Sequence, residues 1–290
     1  MLVGAGLAVP AGAIALARRG RSGEAQTSPS ASALPQARDP RVREVEAIVP
    51  AQRTSDGAGV KLSRALGGRA LAMLDPFLLL DEFRSDDPND YAAGFPDHPH
   101  RGFETVTYMV HGAMEHKDSV GNHGRLGPGS AQWMTAGRGI VHSEMPKQER
   151  GLMWGYQLWV NLPAKKKMTR PRYQDIVPAR IPEVEHEGAR VRVVAGSALG
   201  VSGPVDGIDV EPTFVDVALE RGGTFEHPLP AEHNAFAYVI EGAVRIGQSR
   251  REVRQGQLAV LTRGERAFAS CDAQSGRVLV LAGRPIGEPV

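Results

Sequence analysis

Two stretches of this chain repeat one another. Tyr108-Met-Val-His-Gly112-Ala113 matches Tyr238-Val-Ile-Glu-Gly242-Ala243, each an apolar run that ends at a glycine. Further on, Gly129-Ser-Ala-Gln-Trp-Met-Thr135-Ala-Gly137 matches Gly256-Gln-Leu-Ala-Val-Leu-Thr262-Arg-Gly264, with glycine eight residues from glycine and threonine at the sixth step in both. From Gly112 to Gly129 the chain runs 17 residues, and from Gly242 to Gly256 it runs 14; a surface loop absorbs that difference. Two copies are too few to stack as a solenoid. The repeat therefore implies one β-barrel plan used twice.

The rest of the chain agrees. Short runs rich in β-branched and aromatic residues fall at 105–110, 131–135, 157–160, 191–194, 214–219, 237–240, 258–261 and 278–281, all of strand length. No stretch of comparable length carries a helical period, so the expected fold class is all-β. The 34 Gly and 21 Pro supply the turns that many short strands need. Lys165-Lys-Lys167 with Pro171, Pro178 and Pro182 interrupts the pattern and reads as a solvated linker. The expected organisation is an extension over 1–40, a first barrel over 41–178 and a second over 179–290.

Residues 2–17 are uncharged but fall short of the roughly 20 apolar residues of a membrane span, so no stable span is expected. Arg18, Arg19 and Arg21 follow that run, whereas a secretory signal places them before it. Two readings stand: a disordered extension on a cytoplasmic protein, or the middle of a twin-arginine leader started too late, with Ala31-Ser32-Ala33 as cleavage site and a periplasmic product. Lys plus Arg is 34 against 33 acidic residues, a net charge of +1, which disfavours direct nucleic-acid binding by counterion release. One cysteine, Cys271, excludes an intrachain disulfide and a multi-cysteine zinc site; it reads as a small buried hydrophobe.

Chemistry concentrates in the first copy. His98-Pro-His100 and His142-Ser-Glu144 each put two ligating groups at i and i+2, one face of an extended segment. Three imidazoles and a carboxylate leave two positions open on an octahedral cation, which suits Fe(II) binding substrate and dioxygen together. Zn, Ni, Cu, Mn or Co would take many of the same groups. Counted without gaps from the shared tyrosine and glycine, His98, His100, His142 and Glu144 correspond to Pro228, Pro230, Ala269 and Cys271. The second copy lacks all four groups, so the fold does not need them. Glu104, four residues after His100, is expected near the same face, as a fifth ligand, an outer acceptor or a general base. His111, His116 and His123 read as turn or rim residues, His227 and His233 have no partner at ligand spacing, and Trp133, Trp154 and Trp159 read as core.

Asp81-Glu-Phe83, His98-Pro-His-Arg-Gly-Phe-Glu-Thr105, Asp118-Ser-Val-Gly-Asn122, Gln132-Trp-Met-Thr-Ala-Gly-Arg-Gly-Ile-Val-His-Ser-Glu144 and Gln157-Leu-Trp-Val-Asn-Leu-Pro163 together resemble the pirin family of the cupin superfamily. The match is dense from about 75 to 174 and looser from 190 to 287. The resemblance implies two cupin barrels packed face to face, with iron in the N-terminal barrel only, held by His98, His100, His142 and Glu144. For bacterial members it implies quercetin 2,3-dioxygenase activity; for eukaryotic members, redox-dependent transcription co-regulation through protein contacts. The first 40 residues have no counterpart in typical members. The chain ends at Gly287-Glu-Pro-Val290, where members usually continue into a tail that commonly packs back on the barrels, which puts barrel docking and active-site closure in question.

The leading expectation is an Fe(II)-dependent dioxygenase that cleaves a flavonol or similar enolisable phenol with O2, Glu144 or Glu104 taking the hydroxyl proton. The alternative is a non-catalytic, iron-binding redox sensor acting on a protein partner. A third reading is a cupin with some other small-molecule oxygenase or isomerase activity.

Overall fold

The computed structural model describes residues 39–272 and 274–290; the two readings of the N-terminal segment fall on residues outside this range. The regular structure of the described chain is all strand apart from three short 3-10 turns at Pro88–Asp90, Ala164–Lys166 and Pro178–Arg180. No helix among the described residues is long and apolar enough to cross a membrane. The fold is a pair of cupin barrels.

In the first barrel a seven-stranded sheet faces a four-stranded one. The larger sheet runs Arg172–Ile176, Ala131–Thr135, Phe103–His111, Met153–Asn161, Phe77–Ser85, Val60–Leu66, Gln52–Asp56; the smaller runs Phe95–His100, Ile140–Pro146, Met114–Asp118, His123–Leu126. The second barrel is built on a ten-stranded sheet centred on the 13-residue strand Asn234–Ile246. The repeat is exact in register at its core. Tyr108 pairs with Ala131 and Tyr238 with Leu258, and each partner lies two residues past a repeat glycine. Gly112 and Gly242 turn at φ 81° and 67°, and Gly129 and Gly256 both at 76°, conformations glycine adopts without a Cβ penalty.

The N-terminal boundary departs from expectation. Strand Val45–Pro50 pairs with Gln257–Leu261, so the first strand of the described chain lies in the second barrel's sheet. Arg43 anchors it: its buried guanidinium donates to the carbonyls of His233, Pro230 and Thr262. The lysine run also departs in part. Lys165 and Lys166 are exposed, but Lys167 Nζ donates to Asn161 Oδ1 at 2.7 Å and Gly102 O at 3.0 Å.

Both faces of the large first-barrel sheet are buried, and they carry different chemistry. Val106, Tyr108, Trp133, Trp154, Tyr156, Leu158 and Val160 turn outward into one core with Phe214, Phe236, Tyr238, Ile240 and Leu281 of the second barrel. Two polar networks cross this interface. Tyr108 OH donates to Asp216 Oδ2 at 2.6 Å, and Arg277 grips the same carboxylate. Glu82 accepts from Trp154 Nε1 and Tyr156 OH at 3.0 Å, and from Tyr238 OH at 2.7 Å. These pairs satisfy polar groups that burial would otherwise strand. The opposite face, alternating with it, lines the barrel interior.

Candidate metal centre

Strands Phe95–His100 and Ile140–Pro146 pair so that His98 lies opposite His142, His100 opposite Ile140 and Glu144 opposite Phe95. His98, His100 and His142 each bring a ring nitrogen within 4.8 Å of the others. The rings pack edge to face or tilted, with centroids 4.6–4.9 Å apart. His98 Nδ1 lies 2.7 Å from Pro96 O, a contact that puts the proton on Nδ1 and frees Nε2. His100 Nε2 and both ring nitrogens of His142 are buried without a hydrogen-bond partner. Burial, reinforced by the neighbouring imidazoles, depresses the pKa of His100 and of His142 to about 3. Neutral, unpartnered, converging nitrogens are what a borderline cation requires, so the donor set fits a metal.

Glu144 lines the same cavity but lies outside that three-histidine cluster. Two neutral residues of the large sheet hold its carboxylate: Thr107 Oγ1 donates to Oε1 at 2.7 Å and Gln157 Nε2 to Oε2 at 2.7 Å. They belong to an interior polar row in which Asp81, Gln157, Thr107 and Gln132 are direct cross-strand neighbours. The cavity, about 520 Å³, is walled by Leu62, Leu79, Phe83, Phe95, Phe103 and Trp159. Trp159 sits edge-on to His100 at 5.4 Å, so it faces the site as well as the packing expected of it.

Glu104 is not on this cavity's lining. The corner at Arg101-Gly102, with Gly102 at φ 81°, resets the alternation, and Glu104 points to the side of the second barrel. There it accepts from Thr135 Oγ1 at 2.6 Å and Trp133 Nε1 at 3.1 Å. Burial raises its pKa against the pull of those two donors. His116 also differs from expectation: it is buried on Met114–Asp118, opposite Glu144 in register, and stacks on Tyr173. His123 is exposed, as a rim residue should be, and His111 is an exposed residue stacked on Trp154. Cys271 is buried, and burial raises its thiol pKa.

The second barrel corrects the ungapped count. Its equivalent pair of strands joins Phe225 to Ala269, His227 to Ala267 and Pro228 to Arg266, and Leu229 N bonds Glu265 O. Aligned by this register with Phe95–Glu144, His98–His142 and His100–Ile140, the four positions are His227, Leu229, Ala267 and Ala269. The count slips because His227 lies 11 steps before Tyr238 where His98 lies 10 before Tyr108, and Ala267 lies 11 steps after Gly256 where His142 lies 13 after Gly129. One ligand-type residue survives, and Phe225, Leu229, Ala267 and Ala269 fill that interior with apolar side chains.

The Pirin family model matches residues 59–160 and the Pirin C-terminal cupin domain model matches 214–290. A pirin-like protein of Caulobacter vibrioides is 52% identical over 253 residues, covering 86% of this chain and 90% of its own length. Pirin of Rattus norvegicus is 41% identical over 253 residues, covering 86% and 84%. The crystal structure of quercetin 2,3-dioxygenase from Acinetobacter baumannii superposes with a TM-score of 0.78 at 32% identity, covering 86% of this chain and 89% of that one. With paired barrels, a first-barrel histidine cluster and identity of this extent, the chain belongs to the pirin family.

Proposed function

We propose that this protein is a quercetinase-type dioxygenase, cleaving a flavonol or similar enolisable phenol with O2 at an Fe(II) site in the first barrel. The observation that carries this reading is the convergence of three imidazoles beside an aromatic-walled cavity, with His100 Nε2 and both ring nitrogens of His142 buried and unpartnered. The likeness to a quercetin 2,3-dioxygenase supports it. His98, His100 and His142 would hold the metal, with Glu144 as the carboxylate ligand. A metal bound there acidifies a substrate hydroxyl and brings an electron-rich ring and dioxygen together.

The chain's own residues do the rest. Glu144 takes the hydroxyl proton: it lines the cavity, and Thr107 and Gln157 each occupy only one lone pair of its two oxygens. Phe103, Phe83 and Trp159 pack the faces and edges of a planar substrate and exclude water. Glu104 serves from behind the sheet, tying Phe103–His111 to Ala131–Thr135 through Thr135 and Trp133.

The test is anaerobic loading with Fe(II), then quercetin and oxygen with both followed. Equal consumption of flavonol and O2 is expected, and it should disappear in the double variant His98→Ala/His142→Ala with the fold intact. Fully iron-loaded protein that leaves quercetin unchanged refutes the proposal.

A further inference from the structure

The cavity beside the imidazoles carries a charge bias of its own. Four carboxylates line it, Asp56, Asp81, Asp97 and Glu144, and no lysine or arginine does. Asp56 and Asp97 are exposed at the mouth. Asp81 is different: its side chain is only 5% accessible, and it projects inward between Leu79 and Phe83 on strand Phe77–Ser85.

Arg64 grips Asp81 from outside the cavity, Nε to Oδ1 at 2.8 Å and Nη2 to Oδ2 at 2.7 Å. Each oxygen gives one lone pair to that fork and keeps another. Among the described residues no other hydrogen bond reaches it. Asp81 is also the direct cross-strand neighbour of Gln157, which holds Glu144. Adjacent strands lie about 4.8 Å apart, so Asp81 stands one strand spacing from the residue that holds Glu144, on the lining of the same cavity. A buried carboxylate with free lone pairs is stabilised by a ligand donor. A second anion on the ligand would instead meet Asp97 and Glu144, which no basic side chain pairs among the described residues, whereas Arg64 pairs with Asp56 and Asp81.

Resting on the substrate reading above, we propose that Asp81 is a specificity-determining residue. It accepts a hydrogen bond from a second substrate hydroxyl, distinct from the one that Glu144 deprotonates. The cavity thereby selects uncharged, polyhydroxylated aromatics over analogues that lack that donor.

Anaerobic equilibrium dialysis of the Fe(II)-loaded full chain against quercetin and against 3-hydroxyflavone tests this. The second ligand keeps the enolisable hydroxyl and its carbonyl but has no other donor. Quercetin should bind about 10- to 100-fold more tightly, and Asp81→Asn should shrink that ratio at least fivefold through its loss of quercetin affinity. If Asp81→Asn fails to fold, Arg64→Met/Asp81→Leu, which removes both charges together, takes its place. Equal affinity for the two ligands, binding of neither, or an undiminished ratio in a folded variant overturns the proposal. Admitting oxygen afterwards separates the two ideas. A donor-dependent preference without turnover sinks the dioxygenase reading alone, and turnover without that preference sinks the role of Asp81 alone.

Discussion

Replacing Thr107 by valine asks whether Glu144 ligates the metal. The three imidazoles converge on their own, but Glu144 joins them only if its carboxylate is ionised and correctly turned. Two charge-assisted hydrogen bonds of 2.7 Å, from Thr107 and Gln157, do the turning. Valine keeps the shape of threonine and its fit to the strand while deleting one donor. A hydrogen bond to an ionised group contributes about 1.5–3 kcal/mol, equivalent to about a 10- to 150-fold change in a binding constant. In the metal-free protein an under-bonded Glu144 is free to turn away from the imidazoles. Metal binding must undo that, so the cost emerges as affinity. Outer partners of metal ligands independently lead to an expectation of about 10- to 100-fold.

The assay is competition against a chelator of known affinity, run anaerobically with Fe(II) or with Ni(II) as a redox-silent probe. Thr135→Val is the control, because it deletes the equivalent donor to Glu104 at 2.6 Å. It should lower stability and leave metal affinity within about twofold. An unchanged metal affinity in both Thr107→Val and Gln157→Leu, each folded, would refute the argument and leave a three-histidine site.

Three further outcomes follow from particular contacts. Tyr238→Phe removes the one donor that reaches Glu82 Oε2 among the described residues, at 2.7 Å across the barrel interface; urea unfolding should show a loss of about 1.5–3 kcal/mol, and a loss under 0.5 kcal/mol would contradict it. Gly137→Ala drives a Cβ into the Thr169 carbonyl oxygen at φ +52°, so a thermal melt should report a destabilisation of about 1–3 kcal/mol. Acid should weaken the metal-free protein through its buried imidazoles. His100 and His142 protonate near 6.5 when unfolded but only at about 3 when folded. Between those values the unfolded chain binds more protons, so stability falls as pH is lowered, each imidazole contributing up to about 1.4 kcal/mol per pH unit. His142→Asn should remove its share of that slope between about pH 6.5 and 4, and an unchanged slope would contradict the assignment.

The duplicated barrel was legible because its turns demand glycine. Gly112 with Gly242 and Gly129 with Gly256 hold left-handed positions that few other residues tolerate, so they mark the chain twice at matched intervals. The i, i+2 histidine pairs were legible for an equally local reason, since a strand sends alternate side chains to one face. Counting failed wherever the alternation is reset. One extra residue between His227 and Tyr238 and two fewer between Gly256 and Ala267 shifted the second-barrel equivalents, and the corner at Gly102 sent Glu104 to the other side of its sheet. Val45–Pro50 reads as a strand, yet nothing in six residues says which of two similar sheets accepts it. Asp81 and Gln157 open two of the family-like runs and Thr107 lies outside them, but no spacing joins the three. Their one local signal is a polar residue on the inward step of an otherwise apolar strand, and which step is inward depends on the partner strands.

The second barrel, stripped of three of four ligand positions, still has a physical task. The large first-barrel sheet must present Thr107, Gln157 and Asp81 inward, and strict alternation then turns Val106, Tyr108, Tyr156 and Leu158 outward. A sheet with an apolar outer face needs a cover. Phe214, Phe236, Tyr238 and Ile240 provide it, while Asp216 and Tyr238 take up the polar groups that the cover would otherwise strand. Filling the former site with Phe225, Leu229, Ala267 and Ala269 makes that cover a closed apolar body instead of a second open cavity. The surviving His227 is held neutral by the same burial. Apolar residues at three of the four equivalent positions in the second barrel and an apolar back wall for the first barrel's polar row thus belong to one pattern.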